Sequence, residues 1–382
     1  MALHVVQLGA AEWADRDQAE LALRCLGPPA VAALVRARYH PDPEIGRRAD
    51  RTLRHVAPPA PAPEPLPADI GEGAQSGYRT VVTPQGRALV WLAARQRPDG
   101  GWGTGADEAR EVELTALVVT AFQTWGHTFR DGAYQRTVGR GIKFLYRRQT
   151  EDGGFGGTDR HARRGLVHAS YAFAEAYALT NSPVLREPAR RACARLVAER
   201  TPGYGWGLTQ EGLVEPELDL WAYAALRCAR DAELEVDGMT PAMEAQKAYY
   251  GQEPPDGADL DVATWIHGRI LTRAPMALVS PWAARLEADL LEAAGPVDAP
   301  RVLGERDWRR LAILVDVGFR ESDGWHGARF KRALAEVVRR QVAAGDAAGS
   351  FEAAGGAGAR IVATALGAMS MPCYPRARLV DK

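Results

Sequence analysis

The sequence predicts an all-α fold, a toroid of two concentric helical rings behind a short helical segment. Three observations lead there. Apolar residues recur at helical spacing through most of the chain, and strand-type alternation is almost absent. Short glycine runs then punctuate the helices: Gln96-Arg-Pro-Asp-Gly-Gly-Trp102, Gln149-Thr-Glu-Asp-Gly-Gly-Phe155, Pro202-Gly-Tyr-Gly-Trp206 and, further on, Gly349-Ser-Phe351. The first three aromatics fall about fifty residues apart, a spacing that marks repeated supersecondary units. The helices also alternate in character. Those after a glycine run are small and apolar, as over 114–122, and those before one carry a charged stripe, as over 134–148. About twelve such helices, alternately buried and half-exposed, fit an inner and an outer ring of an (α/α)6 toroid.

In chain order, helical periodicity runs through 3–26 and 30–39, divided by Pro28-Pro29, and a third helix is expected over 43–55 after Pro41-Asp-Pro43. The strings Leu26-Gly-Pro-Pro-Ala-Val-Ala-Ala-Leu34 and Pro41-Asp-Pro-Glu-Ile-Gly-Arg-Arg-Ala49 resemble a HEAT-type helical repeat. That resemblance implies stacking against a neighbour and a protein partner for residues 1–57. Residues 58–67 intersperse proline with alanine, glutamate and leucine, so six of the ten lack an amide hydrogen. A semi-rigid linker over 58–77 is the expectation. Beyond it, 78–382 should form the toroid. Helices are expected over 84–96, 110–126, 131–149, 161–180, 186–199, 216–230, 239–250, 259–274, 280–294, 306–319, 325–343 and 360–371.

Composition narrows the function classes. The 382 residues carry 47 basic and 48 acidic side chains. So even a balance gives no field to attract nucleic acid or an anionic membrane. No apolar run approaches the eighteen or so residues of a membrane span, and residues 1–20 lack a signal-peptide pattern. Cys25, Cys193, Cys228 and Cys373 are scattered through apolar helical contexts without a CxxC pair, which suits reduced thiols in the cytoplasm.

Gln96-x-x-Asp-Gly-Gly-Trp102 and Gln149-x-x-Asp-Gly-Gly-Phe155-Gly-Gly resemble the repeat of squalene cyclases and protein prenyltransferase β subunits. Glu113-Leu-Thr-Ala-Leu117, the run 167–177 and Ala359–Leu366 look like the inner helices of bacterial proteins bearing that repeat. The likeness covers roughly 78–375 and implies the toroid; the fold itself does not fix a chemistry. The loops have a structural rationale of their own. Paired glycines permit tight turns, the aspartate caps, and the aromatic staples neighbouring hairpins.

In such a toroid, polar groups at the glycine-loop end come from the first turns of the inner helices. Those turns hold Glu111 and Glu113, His161 and His168, Glu217 and Asp219, Asp259 and Asp261, Asp307, and Arg360. The plain explanation of the acids is helix capping. The chemical one centres on Asp259-Leu-Asp261-Val262. Class II terpene cyclases protonate an alkene with the middle aspartate of Asp-x-Asp-Asp, and the resemblance casts Asp261 as general acid with Asp259 or Asp219 supporting it. Val262 replaces the third aspartate. Glu113, His168, Trp221, Trp265 and His267 are then candidate cavity lining, the aromatics able to steady a cation. The zinc set of the prenyltransferases is incomplete, since no cysteine follows Asp219 at the required spacing; no metal or cofactor is expected. With both signatures partial, the leading expectation is a non-catalytic binding or scaffold protein with a hydrophobic, isoprenoid-like ligand. A cyclase using Asp261 is the alternative.

Overall fold

The computed structural model describes residues 2–10, 12–26, 34, 37, 42–56, 84–201, 205–206, 217–251, 265, 268–269, 284, 286–290, 301–321 and 328–370. The chain divides into two compact units, Met1–Leu66 with Gly77–Arg79, and Pro67–Ser76 with Thr80–Lys382. Among the described residues every regular element is helical, and β structure is confined to the isolated bridges Thr201–Gly205 and Gln341–Phe351.

The first unit holds α1 (Ala2–Gln7), α2 (Trp13–Leu26) and α3 (Pro43–Val56), which pack on one another around Leu8, Leu23, Leu34, Ile45 and Ala49. Pro43 opens α3 where a missing amide hydrogen is no loss, and the Asp42 carboxylate accepts from the Glu44 amide at 2.8 Å. A buried Arg48–Glu20 pair at 3.2 Å ties α3 to α2. The sequence reading of 58–77 as a linker falls outside the described residues.

The second unit holds α4 (Pro84–Ala94), α5 (Glu108–Thr124), α6 (Gln135–Arg148), α7 (Arg160–Thr180), α8 (Pro183–Ala198), α9 (Glu217–Asp231), α10 (Met239–Gly251), α11 (Glu305–Glu321), α12 (Ala328–Arg339) and α13 (Gly356–Ser370). Their burial sorts them as the sequence suggests. Helix α5 is buried without a break from Glu111 to Thr124, whereas α6 buries only Val138, Gly141, Ile142, Phe144 and Leu145. An unbroken apolar surface needs neighbours all round; a stripe needs them on one side. Accordingly α5 packs between α7 and α13, α7 also packs on α9, and α13 also packs on α11 and α4. The last described helix of this unit therefore rests on the first two. Helix α6 starts later than the expected 131 because the Thr128 hydroxyl accepts the Arg130 and Asp131 amides and Gly132 turns at φ +91°, closing a separate turn first. Of the expected helices 259–274 and 280–294, the structure describes the helical residues 265, 268–269, 284 and 286–290.

The glycine loops are staples, and they repeat in atomic detail. In the first, the Gln96 amide nitrogen donates to the Gly100 and Thr137 carbonyls, both at 2.9 Å, pinning the loop to α6. In the second, Gln149 donates to Gly153 and to Pro188 of α8. In the last, Gln341 donates to Gly349 at 2.8 Å and to Pro84 of α4 at 2.6 Å. Gly100, Gly153 and Gly349 adopt φ of +97°, +87° and +88°, and a Cβ on each would strike the Arg140, Arg191 or Arg87 carbonyl of the neighbouring helix. Only glycine meets both demands. The indole nitrogens of Trp102 and Trp206 donate to the Leu92 and Leu196 carbonyls at 2.6 Å, closing each loop against the helix before it.

Candidate functional site

The start of α5 carries the most constrained charge in the unit. Asp107 caps that helix by accepting the Arg110 amide at 3.0 Å, as Asp159 caps α7 by accepting the Ala162 amide at 2.8 Å. Capping thus falls to those two aspartates, and Glu113, one turn further in, is left for something else. Its side chain is wholly buried. Arg110 donates to Glu113 at 2.6 Å, the Arg309 Nη2 of α11 at 3.2 Å, and the His161 Nδ1 of α7 lies 3.1 Å away, while Arg164 stands at 3.6 Å. Glu305 faces the same arginines, paired with Arg110 and lying 3.7 Å from Arg164. Three helices, α5, α7 and α11, meet on these two carboxylates.

Burial alone would raise the Glu113 pKa; the His161 hydrogen bond and the fields of Arg110, Arg164 and Arg309 outweigh it and hold the carboxyl well below the usual carboxylate range. An ionised carboxylate only accepts, so the His161 Nδ1 carries the proton. Breaking such a buried cluster strands a charge.

Three of the four loop aromatics have a partner at a fixed offset on the following helix. The Trp102 amide donates to the Thr115 hydroxyl at 3.0 Å, the Phe351 amide to the Thr364 hydroxyl at 3.1 Å, and the Trp206 amide to the Asp219 carboxylate at 2.6 Å. Asp219 also accepts from the Tyr250 hydroxyl at 3.3 Å. In the second repeat the same offset from Phe155 lands on His168, and there the staple is missing. Neither ring nitrogen of His168 has a hydrogen-bond partner among the described residues, though the side chain is 1% exposed. Burial, then the charge of Arg309, pushes its pKa down to about 3, so the ring is neutral. It packs edge-on to Trp221, ring centroids 5.0 Å apart, and Trp221 meets Tyr171 at 5.5 Å.

The candidate residues therefore separate into two groups. Glu113, His168 and Trp221 lie along α5, α7 and α9 beside the arginines. Asp219 and Trp265 belong to another cluster, in which Trp265 packs on Tyr249 and Tyr250 and Tyr250 reaches Asp219. Asp219 and Trp221, two residues apart on α9, project about 200° apart around the helix and so face different neighbours. Asp259, Asp261 and His267 lie outside the described residues. The sequence reading did not single out Arg110 or Arg309. The described residues contain no group of three His, Cys, Asp or Glu placed to hold a metal ion. Cys193 and Cys228 are free and buried, and burial pushes both thiols up, Cys193 to about 12, which leaves them unreactive.

A pocket of about 500 Å³ opens beside the second glycine loop, lined by Asp152, Phe155, Arg163, Arg195 and Glu199 among others. Its charges answer one another: Arg195 pairs with Asp152 at 2.7 Å and with Glu199 at 2.5 Å, and Arg163 lies 3.7 Å from Glu199.

No protein-family model matches the chain. A stretch of 89 residues is 35% identical to the drimenyl diphosphate synthase of Streptantibioticus cattleyicolor. It covers 23% of this chain and 16% of that protein, so the chain spans a small part of its relative's length. Together with the all-helical architecture, the match fits a terpenoid-cyclase-like fold. No described helix is long and apolar enough to cross a membrane.

Proposed function

We propose that residues 78–382 close as an (α/α)6 toroid of terpenoid-cyclase-like descent and act as a binding module for a hydrophobic, isoprenoid-like molecule, without catalysing its cyclisation. Closure is supported by the Gln341–Pro84 hydrogen bond, which fastens the last glycine loop to the first outer helix as Gln96 and Gln149 fasten theirs. In this reading residues 1–57 are a HEAT-like segment that docks a protein partner, and the protein works in the cytoplasm.

One observation carries the non-catalytic reading. Protonating an alkene needs a carboxylic acid kept neutral by an apolar or hydrogen-bonded setting. Glu113 is held in the opposite state by three arginines and His161, and Asp219 serves as acceptor for a loop amide, the duty performed elsewhere by threonine. Glu113 is thus no proton donor and Asp219 is engaged by the loop amide; Asp261, the general acid of the cyclase reading, lies outside the described residues.

The match to drimenyl diphosphate synthase favours a second reading, a class II terpene cyclase in which Asp261 is the general acid, Asp259 or Asp219 supports it, and Trp221, Trp265 and His267 line the cavity. Incubating the full chain with linear isoprenoids and their diphosphates separates the two. The binding reading expects no cyclised product from wild type or Asp261→Asn, together with calorimetric binding of farnesol by both. Turnover abolished in Asp261→Asn overturns it in favour of the cyclase.

A further inference from the structure

His168 is the one staple position in the described repeats that does no stapling. Thr115, Asp219 and Thr364 each take a loop amide, while both ring nitrogens of His168 are buried and meet no hydrogen-bond partner among the described residues. Arg309 shows a matching surplus. Its Nη2 serves Glu113, but its Nε and Nη1 are buried and find no acceptor among the described residues. Buried donors are rarely left unmatched in a native protein, and a group of them calls for a ligand or water. The two residues stand at one cluster: Arg164, one turn before His168 on α7, and Arg309 both face the Glu113 Oε1, at 3.6 and 3.2 Å.

We infer that His168 and Arg309 form a subsite for the carboxylate head of an apolar molecule whose body lies along Trp221 and Tyr171. The inference rests on the binding reading above. Arg309 supplies charged donors, and the neutral imidazole supplies one N–H and one acceptor. A multiply charged head is disfavoured because Glu113 and Glu305 share the same arginines and repel it. Beyond the head, Trp221 is only partly buried and offers an aromatic face beside His168.

Calorimetric titration of the full chain with octanoate, octyl phosphate and octanol tests this. The expected result is octanoate binding at least tenfold tighter than octanol and tighter than octyl phosphate. His168→Phe, which leaves the arginine–glutamate cluster intact and can be checked by its melting curve, should bring octanoate to within twofold of octanol; Arg309→Gln should do the same if it folds. Equal binding of octanoate and octanol, as when the subsite holds only water, overturns the carboxylate assignment and spares the binding reading. Tighter octyl phosphate also overturns it. No binding of any of the three, or of farnesol, overturns both.

Discussion

The first and second repeats are built to one plan and diverge at a single contact. Both loops clamp a glutamine amide on the helix of the next hairpin that carries a half-buried stripe, and both place a left-handed glycine under a carbonyl of that helix. In the first, Thr115 completes the closure by taking the Trp102 amide; in the second, His168 declines the same task. The scaffold tolerates one absent staple because the others hold. A position released from a structural duty, fully buried and beside a charge cluster, is where a repeat protein can place a binding function without dismantling the repeat.

The largest expected effect breaks the charge cluster that lies between the two repeats, drawing Arg110 and Glu113 from the first and His161 and Arg164 from the second. Glu113→Gln leaves Arg110, Arg164 and Arg309 facing a neutral amide and should cost about 3–5 kcal/mol in urea unfolding. Next, Asp219→Ala removes the acceptor for the buried Trp206 amide and should cost about 1–3 kcal/mol, while Asp219→Thr, copying the first repeat, should recover most of it. Recovery by threonine marks Asp219 as structural; a loss of function without loss of stability would mark it as chemical.

The contrast also has a pH signature. His168 is buried neutral with its pKa depressed to about 3 from an ordinary 6.5. The unfolded chain takes up a proton below 6.5 that the folded chain refuses until about pH 3, so stability is full above that window and falls as pH drops through it, by about 1.4 kcal/mol per pH unit from this residue. His168→Phe should remove that share of the slope between pH 6 and 4, measured by denaturant midpoints. The smallest effects come from exchanging the staples themselves. Thr115→Val should cost about 1 kcal/mol, and His168→Thr, which restores an acceptor for the Phe155 amide, should be neutral or stabilising by less than about 1 kcal/mol.

Much of the fold is legible in the sequence because its signals are local. Apolar spacing marks α4 to α10 to within a few residues, and the Asp-Gly-Gly-aromatic strings mark the turns between hairpins. The staple offset is also written in the chain: threonine follows Trp102 and Phe351, and aspartate Trp206, at the same distance. The site is legible only in part. Glu113 and His168 stand out as polar residues in apolar helices, yet the arginine that unites them comes from a helix 196 residues away. Arg110, three residues before Glu113, was readable as an ion-pair partner; Arg309 was not, since nothing local distinguishes it from the arginines beside it. Capping falls to Asp107 and Asp159, which the sequence reading did not name, whereas Glu113, for which it offered capping, pairs with arginines and owes its depth to what packs over the helix.

The hydrogen bond from Gln341 to Pro84 joins residues 257 apart. A linear array of hairpins frays from its ends, where the last unit has a neighbour on one side only. Here the two terminal hairpins shield each other, so amide exchange in α4 and α13 should resemble that of the interior rather than show a gradient. The same seam sets an order on assembly. Bringing such distant partners together carries a large loop-closure entropy, and α4 must wait for most of the chain before its outer flank is covered.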